Sequence, residues 1–159
     1  MMKLSKNFSL VEFTESNTAI RNGIDNNPTA EHIHNLVDLC ENVLQPLRDR
    51  IGSSIRVTSG YRSEALNSAI GGASRNGKAT SDHCYGRAAD IKLVINGLNI
   101  SEELYHGIKA MGVPFKQLIW EFGDDDTPQW VHIAFDKDNN KMQCLKAYKD
   151  DGKTKYMNI

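Results

Sequence analysis

The residues with the most chemical content lie in Ser81-Asp82-His83-Cys84-Tyr85-Gly86-Arg87-Ala88-Ala89-Asp90, which reads S-x-H-x-x-G-x-A-x-D. His83 offers a neutral nitrogen and Asp90 an anionic oxygen, both good zinc ligands. Gly86 between them permits a sharp turn. A further histidine, His132, follows in Trp130-Val131-His132-Ile133-Ala134-Phe135. Two imidazoles and one carboxylate, with a fourth position left to water, form the donor set of a catalytic zinc ion. Arg62 leaves a short strand in Thr58-Ser59-Gly60-Tyr61-Arg62-Ser63. Its planar guanidinium suits a carboxylate clamp better than a lysine would. Glu121 stands alone between Trp120 and Phe122. A carboxylate between aromatics loses water, which raises its pKa toward values useful for a general base. Cys84, adjacent to His83, reads as a small semi-buried residue, because neighbours in sequence seldom face one ion.

Strands must place these groups. Arg87–Ile95 alternates so that Ala89, Ile91, Leu93 and Ile95 share an apolar face. Asp90 then lies on the other face beside the small Ala88. In Trp130–Phe135 the apolar face is Val131, Ile133 and Phe135, and His132 lies opposite beside Ala134. Two strands thus each carry one ligand away from the core, flanked by alanine, and a loop histidine completes the set.

In this order, S-G-Y-R-S, S-x-H-x-x-G-x-A-x-D and W-V-H-I resemble the zinc peptidases of the D-alanyl-D-alanine carboxypeptidase type, the M15 class. The resemblance runs from about Leu4 to Tyr148 and is nearest the compact, phage-endolysin branch. It implies a hedgehog/D-Ala-D-Ala-peptidase-like fold and a zinc ion on His83, Asp90 and His132. It implies hydrolysis of peptidoglycan stem peptides at D-alanine or L-alanine/D-glutamate linkages. It also implies that Arg62 holds a substrate carboxylate and that Ser81 contacts substrate or supports a neighbouring group. One position departs from the pattern. Several branches carry an acid three residues before the last histidine, where this chain has Gln129. Glutamine accepts no proton at neutral pH, so Glu121 is the candidate base, with Asp124, Asp125 and Asp126 behind it. The alternative reading is a cell-wall-binding or phage structural module that keeps the metal without turnover.

With 159 residues, 40% hydrophobic and 25% charged, the chain predicts a single domain over residues 1–159, with a monomer as the expected state. A net charge of −1 gives no basic field for nucleic acid. No run is long enough to span a bilayer. The opening Met-Met-Lys-Leu-Ser-Lys-Asn-Phe lacks the apolar segment of a signal peptide. The expectation is synthesis in the cytoplasm and action on the wall after release, in a phage or prophage lysis setting. Cys40, Cys84 and Cys144 are an odd number at no framework spacing, which predicts free thiols.

The remaining elements follow from caps, breakers and periodicity. Ser9 and Glu12 predict a short helix over Leu10–Thr14. Thr29 caps a long helix from Ala30 to Arg50, which Pro46 should kink and Gly52 should end. Ile55–Thr58 reads as a strand, Ser63–Ile70 as a short helix and Gly71–Asp82 as a mobile loop. Ser101 caps a helix over Glu102–Met111. Gln117–Phe122 and Trp130–Phe135 read as a hairpin with an acidic tip, and Met142–Tyr148 as a last strand. From about residue 150 the polar tail should fray. His32, His34 and His106 read as solvated. The composite is an α+β domain with a small, mainly antiparallel sheet packed on helices. In the expected hairpin register Glu121 faces His132, and Trp120 and Phe122 join Val131, Ile133 and Phe135 in the core.

Overall fold

The computed structural model describes residues 1–159. Two short helices open the chain, α1 (Leu10–Thr14) and α2 (Asn17–Asn22). The Glu12 carboxylate accepts the Ser9 N–H at 2.8 Å, as the capping pattern predicts. α2 has no apolar periodicity of its own. The Ser16 side chain caps its start and Gly23 its end.

The long helix forms in three parts: α3 (Ala30–Leu39), a π-helical segment (Cys40–Leu44) and α4 (Gln45–Ile51). Pro46 lacks an N–H, and the chain meets this by widening the turn just before it. Leu36, Leu39, Val43, Leu44 and Leu47 are all fully buried. Each such side chain contributes about 1.5–3 kcal/mol on burial, against about 1 kcal/mol for a good cap. Packing rather than capping therefore holds this helix.

The strands are β1 (Arg56–Ser59), β2 (Ser74–Arg75), β3 (Lys78–Ala79), β4 (Ala88–Lys92), β5 (Val94–Ile95), β6 (Leu98–Asn99), β7 (Gln117–Glu121), β8 (Trp130–Ala134), β9 (Gln143–Asp150) and β10 (Lys153–Asn158). α5 (Glu64–Ala69) and α6 (Glu102–Met111) complete the list of α-helices. Six strands form the main sheet in the order β1-β4-β8-β7-β9-β10. Every pair in it is antiparallel except β7 with β9. One face packs on the helices through a core of 23 buried residues, including Ile91, Val131, Ile133, Leu118 and Trp120. The opposite face carries the candidate site residues Asp90, Glu121 and His132.

Five expectations need correction. The tail does not fray: Lys153–Asn158 is a strand paired along its whole length with β9. Asp151 and Gly152 both take positive φ, 47° and 72°, the pattern of a tight hairpin turn. The loop Gly71–Asp82 contains the β2–β3 hairpin. The β7–β8 register is two residues from the expected one, with Ile119 opposite His132 and Glu121 opposite Trp130. A two-residue shift preserves the face, so Glu121 still lies on the side of His132. Phe122 does not join the core. Its φ of 57° breaks the alternation, and its ring packs on Trp130 at 5.4 Å on the site face. His32, expected in solvent, is half-buried, 5.0 Å from the ring of Tyr61. His34 and His106 are exposed.

No helix is long and apolar enough to cross a membrane. All three cysteines are free.

Candidate metal centre

The site is built on a transverse row of the sheet. Ser59 pairs with Asp90, Asp90 with His132, His132 with Ile119, and Ile119 with Leu145. In-register partners project from the same face. Asp90 and His132 therefore stand side by side, as strand parity predicts. The flanking Ala88 and Ala134 pair with each other and leave space beside them.

His83 arrives from outside the sheet. Ser81 Oγ accepts the His83 N–H at 3.3 Å and starts a 3₁₀ turn over Asp82–Tyr85. Gly86 ends that turn at φ +67°, where a Cβ would lie 2.3 Å from the His32 carbonyl oxygen. The glycine thus answers both to conformation and to close approach of the long helix. Lys116 and Asp82 pair at 2.7 Å, and Arg87 and Asp136 at 3.2 Å, fastening the turn to the sheet.

A bulge between Val57 and Ser59 on β1 turns the chain toward the site. The Gly60 carbonyl lies 2.6 Å from His83 Nδ1. A carbonyl can only accept, so the proton sits on Nδ1 and Nε2 keeps its lone pair for a ligand. Gly60 admits no side chain, because a Cβ there would lie 2.6 Å from Phe13 Cα. Arg62 follows, with Nε 3.3 Å from Ser59 Oγ and Nη2 3.4 Å from Asp90 Oδ2.

Asp90 is central. Its Oδ1 lies 3.4 Å from His83 Nε2 and 3.1 Å from His132 Nδ1. One potential ligand atom from each of His83, Asp90 and His132 falls within 4.8 Å of the others. Two imidazoles facing a carboxylate, with the His83 ring fixed in the ligand tautomer, make a donor set that fits a zinc ion. Burial alone would raise the Asp90 pKa. The charges and hydrogen bonds of His83 and His132 outweigh it and hold the carboxyl well below the usual range. Burial also lowers the His83 pKa, against the opposing pull of Asp90, and keeps that ring neutral. Both shifts favour the protonation states that bind metal.

Glu121 lies next to this row, between Trp130 on one side and Ala147 on the other. Ile119, Leu145 and Ala147 form a small buried apolar cluster on the site face, with Phe122 packed against it. Glu121 is only 8% exposed, so it is not a solvated strand glutamate. Its pKa is pushed up to about 7, mainly by burial; His132 and Arg62 pull it down, and Asp90 pushes it further up. The folded protein therefore binds more protons than the unfolded chain between the ordinary carboxyl value and about 7, and loses stability as pH rises through that window. In metal-free protein, Glu121→Gln should raise the melting temperature at pH 8 and leave it nearly unchanged at pH 4. Thermal scans at the two pH values check this, and equal shifts would contradict it.

A cavity of about 490 Å³ contains Arg62, Ser81, His83, Asp90, Glu121 and His132 in its walls. The alternative carboxylates Asp124, Asp125 and Asp126 do not line it. Asp124 caps the N–H groups of Asp126 and Thr127, and Asp125 pairs with Lys146. Gln129 is exposed and also outside the cavity. Cys84 is buried and stands outside the ligand cluster. The sequence reading missed Leu145, Thr154 and Tyr156, which line the same cavity from β9 and β10. The Asp151-Gly152 turn pair, with Tyr148 before it and Thr154 and Tyr156 after it, was the signal that could have found them.

Fold and site together define a class: an α+β domain whose free sheet face gathers a three-residue cluster able to hold a metal ion, with a desolvated carboxylate in the same cavity. Residues 6–134 match the family described as Peptidase M15, and the chain belongs to that family. No match is found among curated proteins.

Proposed function

We propose that this protein is a zinc-dependent peptidase that cleaves peptide bonds in the stem peptides of bacterial peptidoglycan, as an endolysin-like endopeptidase or a D-Ala-D-Ala carboxypeptidase. The observation that carries the reading is the convergence of His83, Asp90 and His132 beside a buried carboxylate in one cavity of a Peptidase M15 chain. His83, Asp90 and His132 would hold the metal, which when bound supplies a Lewis acid and a water of lowered pKa. Glu121 accepts a proton from the attacking water and later returns it to the leaving amine, the work of one carboxyl whose pKa lies near neutrality. Its burial favours turnover over a purely binding role. Ser81 positions His83 through the N–H it accepts. The apolar floor of Ile119, Leu145 and Ala147 limits water around Glu121.

Arg62 faces the cavity with part of its guanidinium committed to Asp90 and Ser59. Its remaining N–H groups take a substrate carboxylate. Arg62→Lys keeps the charge and loses the planar fork. A charge-assisted hydrogen bond contributes about 1.5–3 kcal/mol, so the variant should lose roughly 10- to 100-fold in kcat/KM, with KM carrying most of it. Unchanged kinetic constants on stem peptides would remove Arg62 from substrate binding.

The reading is tested by counting free amino groups released from purified peptidoglycan by zinc-loaded protein. Release that stops with chelator and resumes on adding zinc supports it. No release from walls of any stem-peptide type, by protein shown to be folded and metal-loaded, would leave the binding-module alternative.

A further inference from the structure

The matched family span ends at residue 134, yet the cavity has a wall beyond it. Tyr156 pairs with Ala147 on β9, and Ala147 pairs with Glu121 on β7. Glu121 in turn pairs with Trp130. Trp130, Glu121, Ala147 and Tyr156 thus form one transverse row on the site face, beside the row that holds Asp90 and His132. Ala147 is fully buried and has only a methyl group to place between Glu121 and Tyr156. Strands are about 4.8 Å apart, so a phenol two strands from Glu121 can lean over that methyl into the cavity. Tyr156 and Thr154, on the same face of β10, both line it.

We propose that the β9–β10 hairpin is the far wall of the substrate groove, and that the Tyr156 hydroxyl donates a hydrogen bond to a backbone carbonyl of the bound peptide, opposite the His83, Asp90 and His132 cluster. The inference rests on the peptidase reading above. The peptide then lies over Ile119, Leu145 and Ala147, with Arg62 and the ligand cluster on one side and Tyr156 on the other. Burial, with the charges of Glu121 and Asp90, raises the Tyr156 pKa and keeps the phenol a donor. The residue is still 53% exposed, as a wall open to an incoming peptide must be. Tyrosine suits this role because it offers a rigid apolar face and one polar tip.

The test compares zinc-loaded wild type, Tyr156→Phe, Tyr156→Ala and Lys155→Thr on a synthetic stem pentapeptide with L-Ala-D-Glu and D-Ala-D-Ala linkages. Lys155 neighbours Tyr156 on the same edge strand but faces the other side, so Lys155→Thr reports on the strand alone. Tyr156→Phe should raise KM about three- to tenfold, the effect of one lost hydrogen bond, with kcat within twofold and zinc content unchanged. Tyr156→Ala should lose more, and Lys155→Thr should match wild type. Tyr156→Phe and Tyr156→Ala both within twofold of wild type in KM would overturn the proposal while leaving the peptidase reading intact. If wild type binds the peptide without cutting it, the peptidase reading fails. Calorimetry then decides the wall: weaker binding by Tyr156→Phe upholds it, and equal binding overturns it. No binding by wild type overturns both.

Discussion

Glu121→Gln is expected to keep its fold and its zinc and to lose about 10²–10⁴-fold in turnover, the usual contribution of a general base. The expectation rests on where the side chain lies. Glu121 shares a face with His132 and a cavity with Asp90, and the apolar side chains around it raise its pKa to about 7. Gln129, Asp124, Asp125 and Asp126 lie outside that cavity and offer no substitute. Glutamine preserves shape and polarity but accepts no proton. The loss should therefore fall on kcat, with KM nearly unchanged. Single-turnover hydrolysis of a stem peptide with elemental analysis of the same sample checks it. A variant with near-normal turnover would remove Glu121 from proton transfer.

Asp90→Ala is expected to have the larger effect on metal. Asp90 Oδ1 faces both imidazoles and Oδ2 faces Arg62. Without the carboxylate, two imidazoles and a guanidinium remain, and the cavity loses a negative charge. Losing a partner that merely orients a ligand costs about 10–100-fold in metal affinity. Losing a ligand together with its charge should exceed 100-fold. Competition with a chromogenic zinc chelator measures the difference. Retention of zinc at wild-type affinity would place the metal elsewhere.

Much of this site could be read from residue order alone. Alternation in Arg87–Ile95 and Trp130–Phe135 put Asp90 and His132 off the core face, and the pairing of β4 with β8 sets them opposite each other. Side-chain parity is a local property, so it survives without knowledge of the whole sheet. Register is not local. It depends on turn geometry, and the long connection from Gly123 to Gln129 leaves it free by whole pairs. The Gln129 N–H bonds to the Glu121 carbonyl at 2.9 Å and fixes the hairpin two residues from the expected pairing. Positive φ at Phe122 then sends that ring to the site face, against its hydrophobic character. The last strand was hidden for another reason. Lys153–Asn158 is exposed along its length and has no apolar face for periodicity to detect. Its order comes from the Asp151-Gly152 turn and the ladder with β9, not from burial.

The central claim is that the His83, Asp90 and His132 cluster with Glu121 hydrolyses a peptide bond of the cell wall. Mass spectrometry of peptidoglycan fragments tests it most directly, after digestion by wild type with and without chelator and by Glu121→Gln. The account predicts new fragments whose masses differ from their parents by one water at a single stem-peptide linkage. They should form with zinc and vanish with chelator or in the variant. Fragments that persist with chelator, or the same fragments from Glu121→Gln at wild-type rate, would contradict it.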